Sequence, residues 1–169
     1  MVSIGEPYIF CTPEGGSDFT EKEMLTGSYF NSIDAKGRVF IPAKLRYGLG
    51  ERIWLVKGID ACLYIFTQES WSDFMDSYIT NRTMKDAKSR KLQRFILGGS
   101  RELEIDRQGR INLPQDQIEY AGIDKDVVLI GCADRIELWS AEAYEKEMAK
   151  ESLNPDELMR DAADAEGWE

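Results

Sequence analysis

The sequence predicts a mostly β protein with short helices, an α+β fold assembled from two copies of one unit. Three observations carry this expectation. First, the chain repeats itself. Between LTGSYFNSIDAKGRVFIP (25–42) and LGGSRELEIDRQGRINLP (97–114), Leu25, Gly27, Ser28, Ile33, Asp34, Gly37, Arg38 and Pro42 recur as Leu97, Gly99, Ser100, Ile105, Asp106, Gly109, Arg110 and Pro114. Farther on, Ile53-Trp54-Leu55-Val56 matches Val127-Val128-Leu129-Ile130, and Leu63, Ile65 and Phe66 match Ile136, Leu138 and Trp139. Second, the apolar residues of each copy fall in short alternating or continuous blocks bounded by turn residues, the pattern of strands. Third, a unit of this size is too small to stand alone, since a ~60-residue domain buries only ~60% of its surface. Two copies packed as a pseudo-dimer would share one core.

Each copy opens on a strand, 28–33 (SYFNSI) and 100–105 (SRELEI). Asp-x-x-Gly at 34–37 and 106–109 makes a turn: the aspartate carboxylate bonds the turn backbone and glycine supplies positive φ. Residues 38–41 and 110–113 form the return strand of a hairpin. Pro42 and Pro114 end that strand and suit the first turn of a short helix, closed at Gly48 and Gly122. Two further strands follow in each copy, 53–57 and 62–66, then 127–131 and 135–139. Trp71, Phe74, Met75, Tyr78 and Ile79 then share one helical face, an apolar stripe for the core or a subunit contact. A linker helix over roughly 85–97 sets Leu92, Phe95 and Ile96 opposite its basic residues, and Gly98-Gly99 stops it. Ser140 is the N-cap of a C-terminal helix. Beyond Asn154-Pro155 the chain is acidic and poor in apolar residues, so a mobile tail is expected. The organisation is an N-terminal extension over 1–24, a first repeat over 25–71, a helical linker over 72–96, a second repeat over 97–144 and an acidic tail over 145–169.

Composition excludes several function classes. The 169 residues are 43% hydrophobic and 31% charged, a soluble globular profile. No apolar run approaches the ~18 residues of a membrane span, and the N-terminus lacks the form of a secretory signal. There is no histidine, so histidine-based acid–base, nucleophilic and metal chemistry are ruled out. Cys11, Cys62 and Cys132 form no CxxC and no disulfide pattern, which suits a reducing cytoplasm. No HExxH, P-loop, GxSxG or GxGxxG occurs. The expectation is a chain that is not an enzyme and needs no cofactor, metal or small-molecule ligand.

The net charge of −10 argues against a polyanionic partner until its distribution is read. Residues 1–24 carry five acidic side chains and one basic, and residues 141–169 carry ten and three. The central part, 25–140, has 16 acidic and 17 basic side chains, so the local field there decides the partner. One basic segment stands out: Arg82, Lys85, Lys88, Arg90, Lys91, Arg94 and Arg101 are opposed only by Asp86 until Glu102. It reads either as a binding patch or as a solvated helix face.

The motif with functional content is Asp34-Ala35-Lys36-Gly37-Arg38, echoed by Asp106-Arg107-Gln108-Gly109-Arg110. A hairpin turn explains the aspartate and the glycine, and an arginine beside them can simply pair with the aspartate. Duplication shifts the weight, because no turn requires arginine at the first return position twice. Arginine offers a permanent charge and a planar fork that suits phosphate or guanine edges. Lys36 and Arg107 add charge beside it. Two such loops on one pseudo-symmetric body present a repeated basic surface, and DNA is a repeated polyanion. Arg38, Arg110, Lys36 and Arg107 are therefore the candidate contact residues, with Asp34, Gly37, Asp106 and Gly109 orienting the loops.

These stretches, with MLTGSYFNSIDAKGRVFIPAKLR (24–46), GIDACLYIF (58–66), SRELEIDRQGRINLPQDQIEYAGIDKDVVLIG (100–131) and RIELWSAEAY (135–144), resemble the MraZ family, bacterial regulators built from two tandem SpoVT/AbrB-type domains. The resemblance covers about 24–145, and both copies of the family's DxxxR motif are intact. It implies swapped β-hairpins forming an intramolecular pseudo-dimeric barrel, and a ring-shaped homo-oligomer. It also implies sequence-specific binding of double-stranded promoter DNA at short repeats upstream of the division and cell-wall gene cluster, including the protein's own operon. The place of work would be the cytoplasm, on the nucleoid and away from the membrane. Arg38 and Arg110 are the DNA-contacting arginines by this likeness. The competing expectation is a ring-forming protein-interaction scaffold that binds no specific DNA.

Overall fold

The computed structural model describes residues 24–80, 86–150 and 154–166. In chain order the elements are β1 (Leu25–Ser32), β2 (Arg38–Phe40), α1 (Ala43–Arg46), β3 (Arg52–Lys57), β4 (Leu63–Phe66), α2 (Gln68–Met75), a π-helical turn (Asp76–Thr80), α3 (Ala87–Gly99), β5 (Arg101–Glu104), β6 (Arg110–Asn112), α4 (Gln115–Tyr120), β7 (Asp126–Ala133), β8 (Ile136–Ser140), α5 (Ala141–Ala149) and α6 (Pro155–Glu166). The chain is thus α+β with two repeated units, as expected. Cys11, Arg82, Lys85 and the extension before Met24 lie outside the described residues.

Six strands form one antiparallel sheet in the order β1-β7-β8-β4-β3-β5, and β2 and β6 form a separate ribbon. Exchanging the copies turns β1 into β5, β7 into β3 and β8 into β4, so the order reads the same in both directions. The closed barrel is not found: the sheet is open, with β1 and β5 at its edges.

The simple hairpin within each copy is also corrected. The only backbone pairing between the β1 and β2 segments is the bridge Ile33↔Val39, beside which Asn31 Nδ2 donates to the Phe40 carbonyl at 2.9 Å. β1 instead runs along β7 from Leu25↔Ala133 to Ser32↔Asp126, β5 runs along β3, and β2 pairs with β6 about Val39↔Ile111. The return strand is only three residues long before a proline with no N–H to donate. It buries Val39 or Ile111 by turning onto the sheet, leaving β1 to complete its hydrogen bonds with the longer β7.

Both faces of the large sheet are covered, which is why its central strands read as apolar runs rather than clean alternation. On one face Ile53, Leu55, Leu63, Ile65, Val127, Leu129, Ile136 and Leu138 pack with Val39, Ile41, Leu45, Ile111 and Leu113 of the ribbon side. On the other, Val56, Tyr64, Phe66 and Trp139 pack with Trp71, Ile79 and Ile96 of the helices. Cys62 is fully buried in this second cluster, and burial pushes its thiol up to about 12, so it is inert at neutral pH. Cys132 is half-buried.

Four expectations shift in detail. The stripe from Trp71 does not continue as one α-helical face: the chain widens into the π turn at Asp76, and Tyr78 swings into solvent while Ile79 stays buried. The linker helix is Ala87–Gly99, so Gly98-Gly99 is its last turn; Ile96 is buried, but Phe95 is exposed. In the first copy positive φ falls at Gly50 rather than Gly48, because Leu49 N–H still donates to the Arg46 carbonyl and extends the turn.

The acidic tail carries a helix, α6, with Leu158 and Met159 exposed. Asn154 accepts from the Asp156 N–H, Pro155 sits at the first position, and Asp156 and Glu157 occupy the first turn. That is a complete set of helix-start signals. The N-cap at Ser140 is as expected: its hydroxyl accepts from the Ala143 N–H at 3.2 Å.

Candidate functional site

The two loops are built alike, bond for bond. In the first, Asp34 Oδ1 accepts from the N–H groups of Lys36 (2.9 Å) and Arg38 (3.0 Å), and Oδ2 accepts from Arg38 Nε at 2.7 Å. In the second, Asp106 Oδ1 accepts from Gln108 and Arg110 N–H, both at 2.9 Å, and Oδ2 from Arg110 Nε at 2.9 Å. The Asp34 N–H donates to the Arg38 carbonyl and the Asp106 N–H to that of Arg110, closing each loop. Gly37 and Gly109 take φ of +77° and +79°, where a side chain would be strained.

Each carboxyl is held below the ordinary aspartate value, first by the N–H of Arg38 or Arg110 and then by that arginine's side chain. The aspartates therefore remain ionised and hold the arginines in one rotamer. This orienting role needs no ligand to explain it.

The ribbon places the two arginines together. Arg38 lies opposite Asn112 and Arg110 opposite Phe40. Those four share the outer face, while Val39 and Ile111 point into the core. Arg38 and Arg110 thus sit diagonally across one narrow two-stranded face, a spacing of about 7–8 Å between Cα atoms. Each loop is fastened to the other copy's return strand: Ile41 N–H donates to the Gly109 carbonyl and Leu113 N–H to the Gly37 carbonyl, both at 2.8 Å. Lys36 and Arg107 are exposed on the two turns.

The described part of the basic linker segment is not part of this face. Leu92 and Ile96 anchor α3 in the cluster on the opposite side of the sheet, so Lys88, Lys91 and Arg94 stand apart from the loops. Arg101 is occupied by the Gly98 and Ser100 carbonyls and lies 3.9 Å from Asp116.

Arg46 was not singled out by the motif, yet it reaches the second loop. Its guanidinium lies where a Cβ on Gly109 would stand, with Cζ 2.6 Å and Nε 2.8 Å from that position. The guanidinium also covers the Phe40 ring, 5.2 Å from its centroid. The matching residue in the second copy is Ile118, whose Cδ1 backs Gly37 at 3.5 Å. The copies differ at this position, so the repeat carries no signal for it.

The fold and this site define a class: a duplicated α+β protein presenting two aspartate-locked arginine loops on one ribbon, with no enzymatic constellation among the described residues. The profile of the family described as "MraZ protein, putative antitoxin-like" matches residues 24–95 and 96–164, and the chain belongs to that family. It is 40% identical over 140 residues to the transcriptional regulator MraZ of Acetivibrio thermocellus, covering 83% of this chain and 97% of that protein. To the protein of the same name from a Thermoanaerobacter species it is 48% identical over 124 residues, covering 73% and 85%. To that of Desulforamulus reducens it is 36% identical over 141 residues, covering 83% and 99%. The family is one of regulators and not of enzymes. Among the described residues no helix is long and apolar enough to cross a membrane.

Proposed function

We propose that this chain is a sequence-specific DNA-binding transcriptional regulator acting on the division and cell-wall gene cluster, its own operon included. It reads short promoter repeats through the loops 34–38 and 106–110. The observation that carries this reading is the pair of equivalent arginines, Arg38 and Arg110, preset by ionised aspartates on one face of the β2–β6 ribbon. Preset forks lose little freedom on binding, and bidentate contact to guanine or phosphate is what an arginine fork fits. Lys36 and Arg107 supply flanking phosphate contacts.

The exchange of strands between the copies supports reading the fold as swapped hairpins within one chain. The repeats 25–71 and 97–144 are its two halves, joined by the linker 72–96. The protein works as a ring-shaped homo-oligomer on the nucleoid, in the cytoplasm. Ile59, Tyr78, Phe95 and Leu97 are exposed apolar residues available for subunit contacts, and several loop pairs per ring suit repeated sites by avidity.

The test is fluorescence anisotropy on the duplex upstream of the gene, at two salt concentrations, against a scrambled duplex. Native DNA should bind with affinity falling steeply as salt rises. Arg38→Ala and Arg110→Ala should each cost about 1–3 kcal/mol. Equal binding by wild type and the double variant would remove the loops from the interface. Indifference to every duplex, with assembly retained, would favour the scaffold reading.

A further inference from the structure

The two loops carry different cations in register: Lys36 in the first corresponds to Gln108 in the second, and Ala35 corresponds to Arg107. Their surroundings differ as well. Beside the second loop lies a polar cleft of about 490 Å³, bordered by Arg46, Arg52, Glu51, Glu104, Asp106 and Arg107. Two of its three carboxylates are already matched: Asp106 by Arg110 at 2.9 Å and Glu104 by Arg52 at 3.3 Å. Among the described residues Arg46 has no carboxylate within 4 Å, and its buried Nε has no hydrogen-bond partner. Phe40 and Gly109 hold its guanidinium by packing alone. A cation fixed this way keeps its outward N–H groups for a ligand, and loses little side-chain freedom when one arrives.

Resting on the DNA-binding reading above, we propose that Arg46, supplied by the first copy, is a DNA-contacting residue of the second loop. With Arg107 it grips a backbone phosphate at the mouth of this cleft. The second loop then matches the charge that Lys36 brings to the first, using a side chain from the other half of the molecule. Gly109 is needed twice over: for its positive φ, and because any side chain there would occupy the guanidinium's place.

The experiment is a salt titration of binding to the upstream duplex by Arg46→Met, Arg46→Lys, Arg46→Met/Gln108→Lys and Arg110→Ala, with thermal unfolding of each. Arg46→Met should lower affinity roughly tenfold at 0.1 M salt and reduce the slope of log K against log salt by about one per engaged loop. Arg46→Lys should keep the slope. Gln108→Lys in the Arg46→Met background should restore it, which repair of packing alone cannot do. A wild-type slope for Arg46→Met, or a weakened affinity that Gln108→Lys fails to rescue, overturns the proposal. If Arg110→Ala is defective in that same case, the loop reading survives and only the role of Arg46 falls. If Arg110→Ala is also neutral, the DNA-reading loops themselves are wrong. Should Arg46→Met unfold, the Arg46→Lys slope decides: a drop of one overturns the claim that charge is what this position supplies.

Discussion

In the first loop the turn glycine, Gly37, rests against Ile118 from the second copy. In the second loop Gly109 rests against the guanidinium of Arg46 from the first. The hydrogen bonds within the loops are shared, from the two backbone N–H donors on each aspartate's Oδ1 to the arginine Nε on its Oδ2. Everything behind them differs, because each loop is backed by the other copy's short helix. The hydrogen bonds are set by five consecutive residues and survive duplication unchanged. The backing is set by a residue in the other copy, so the copies can diverge there without disturbing the loop.

The largest expected effects test that division at the glycines. Gly37→Ala and Gly109→Ala should each destabilise by about 1–2 kcal/mol in chemical denaturation, from positive φ alone. Their effects on DNA should part. Gly109→Ala both strains its loop and displaces Arg46, and should reduce the salt slope at least as much as Arg46→Met does, while Gly37→Ala strains its loop but meets only ordinary contacts and should reduce the slope less. Equal reductions of slope in the two variants would break the comparison.

A smaller difference is expected where each copy ends. Thr67 and Ser140 occupy matching places and cap α2 and α5. Thr67 belongs to a reciprocal pair, accepting from the Ser70 N–H while its own N–H donates to Ser70 Oγ, both at 3.0 Å. Ser140 makes the single bond to Ala143. Thr67→Ala removes two bonds of its hydroxyl, from the Ser70 N–H and to Ser70 Oγ, and should cost roughly 1–2 kcal/mol, while Ser140→Ala removes one and should cost about 1 kcal/mol or less, read from denaturant midpoints at constant m. The reverse order would show that the second hydroxyl bond adds nothing at this helix.

The smallest effect is the pH dependence of the loops. Asp34 and Asp106 titrate below the ordinary value of 3.8 when folded. A depressed folded value means that their contribution to stability is present above pH 3.8 and is lost as pH falls from there through the lowered folded values. Carboxyl NMR titration should show both midpoints displaced downward together. An ordinary value for one and a depressed value for the other would mean that the two loops are not locked alike.

What the sequence made legible follows the range of each interaction. The turns at Asp34–Gly37 and Asp106–Gly109 were readable because their partners lie within four residues. The apolar runs at Ile53–Val56 and Val127–Ile130 announced strands, since burial on both faces leaves its mark along the run itself. Their neighbours were not readable: alternation tells which face a residue takes and not which strand lies beside it. Hence the expected hairpin gave way to exchange of β1 and β5 between the copies. Arg46 carries no such mark, because its match in the second copy is Ile118 and the repeats share nothing at that position. Helix α6 was obscured by a different cause: poverty of apolar residues outweighed the start signals in Asn154-Pro155-Asp156-Glu157.

The two-way strand order carries a consequence for how the chain is made. Among the described residues β1 is synthesised first, and its partner along its whole length is β7, with Leu25 paired to Ala133. At about 5–20 residues per second, β1 waits on the order of 5–20 s for that partner to leave the ribosome. β3 and β4 can meet at once, but the ribbon strand β2 must wait for β6. The early half of the molecule therefore spends its first seconds as an incomplete sheet, with an unpaired edge on which a neighbouring nascent copy of the same chain could seat its own second half.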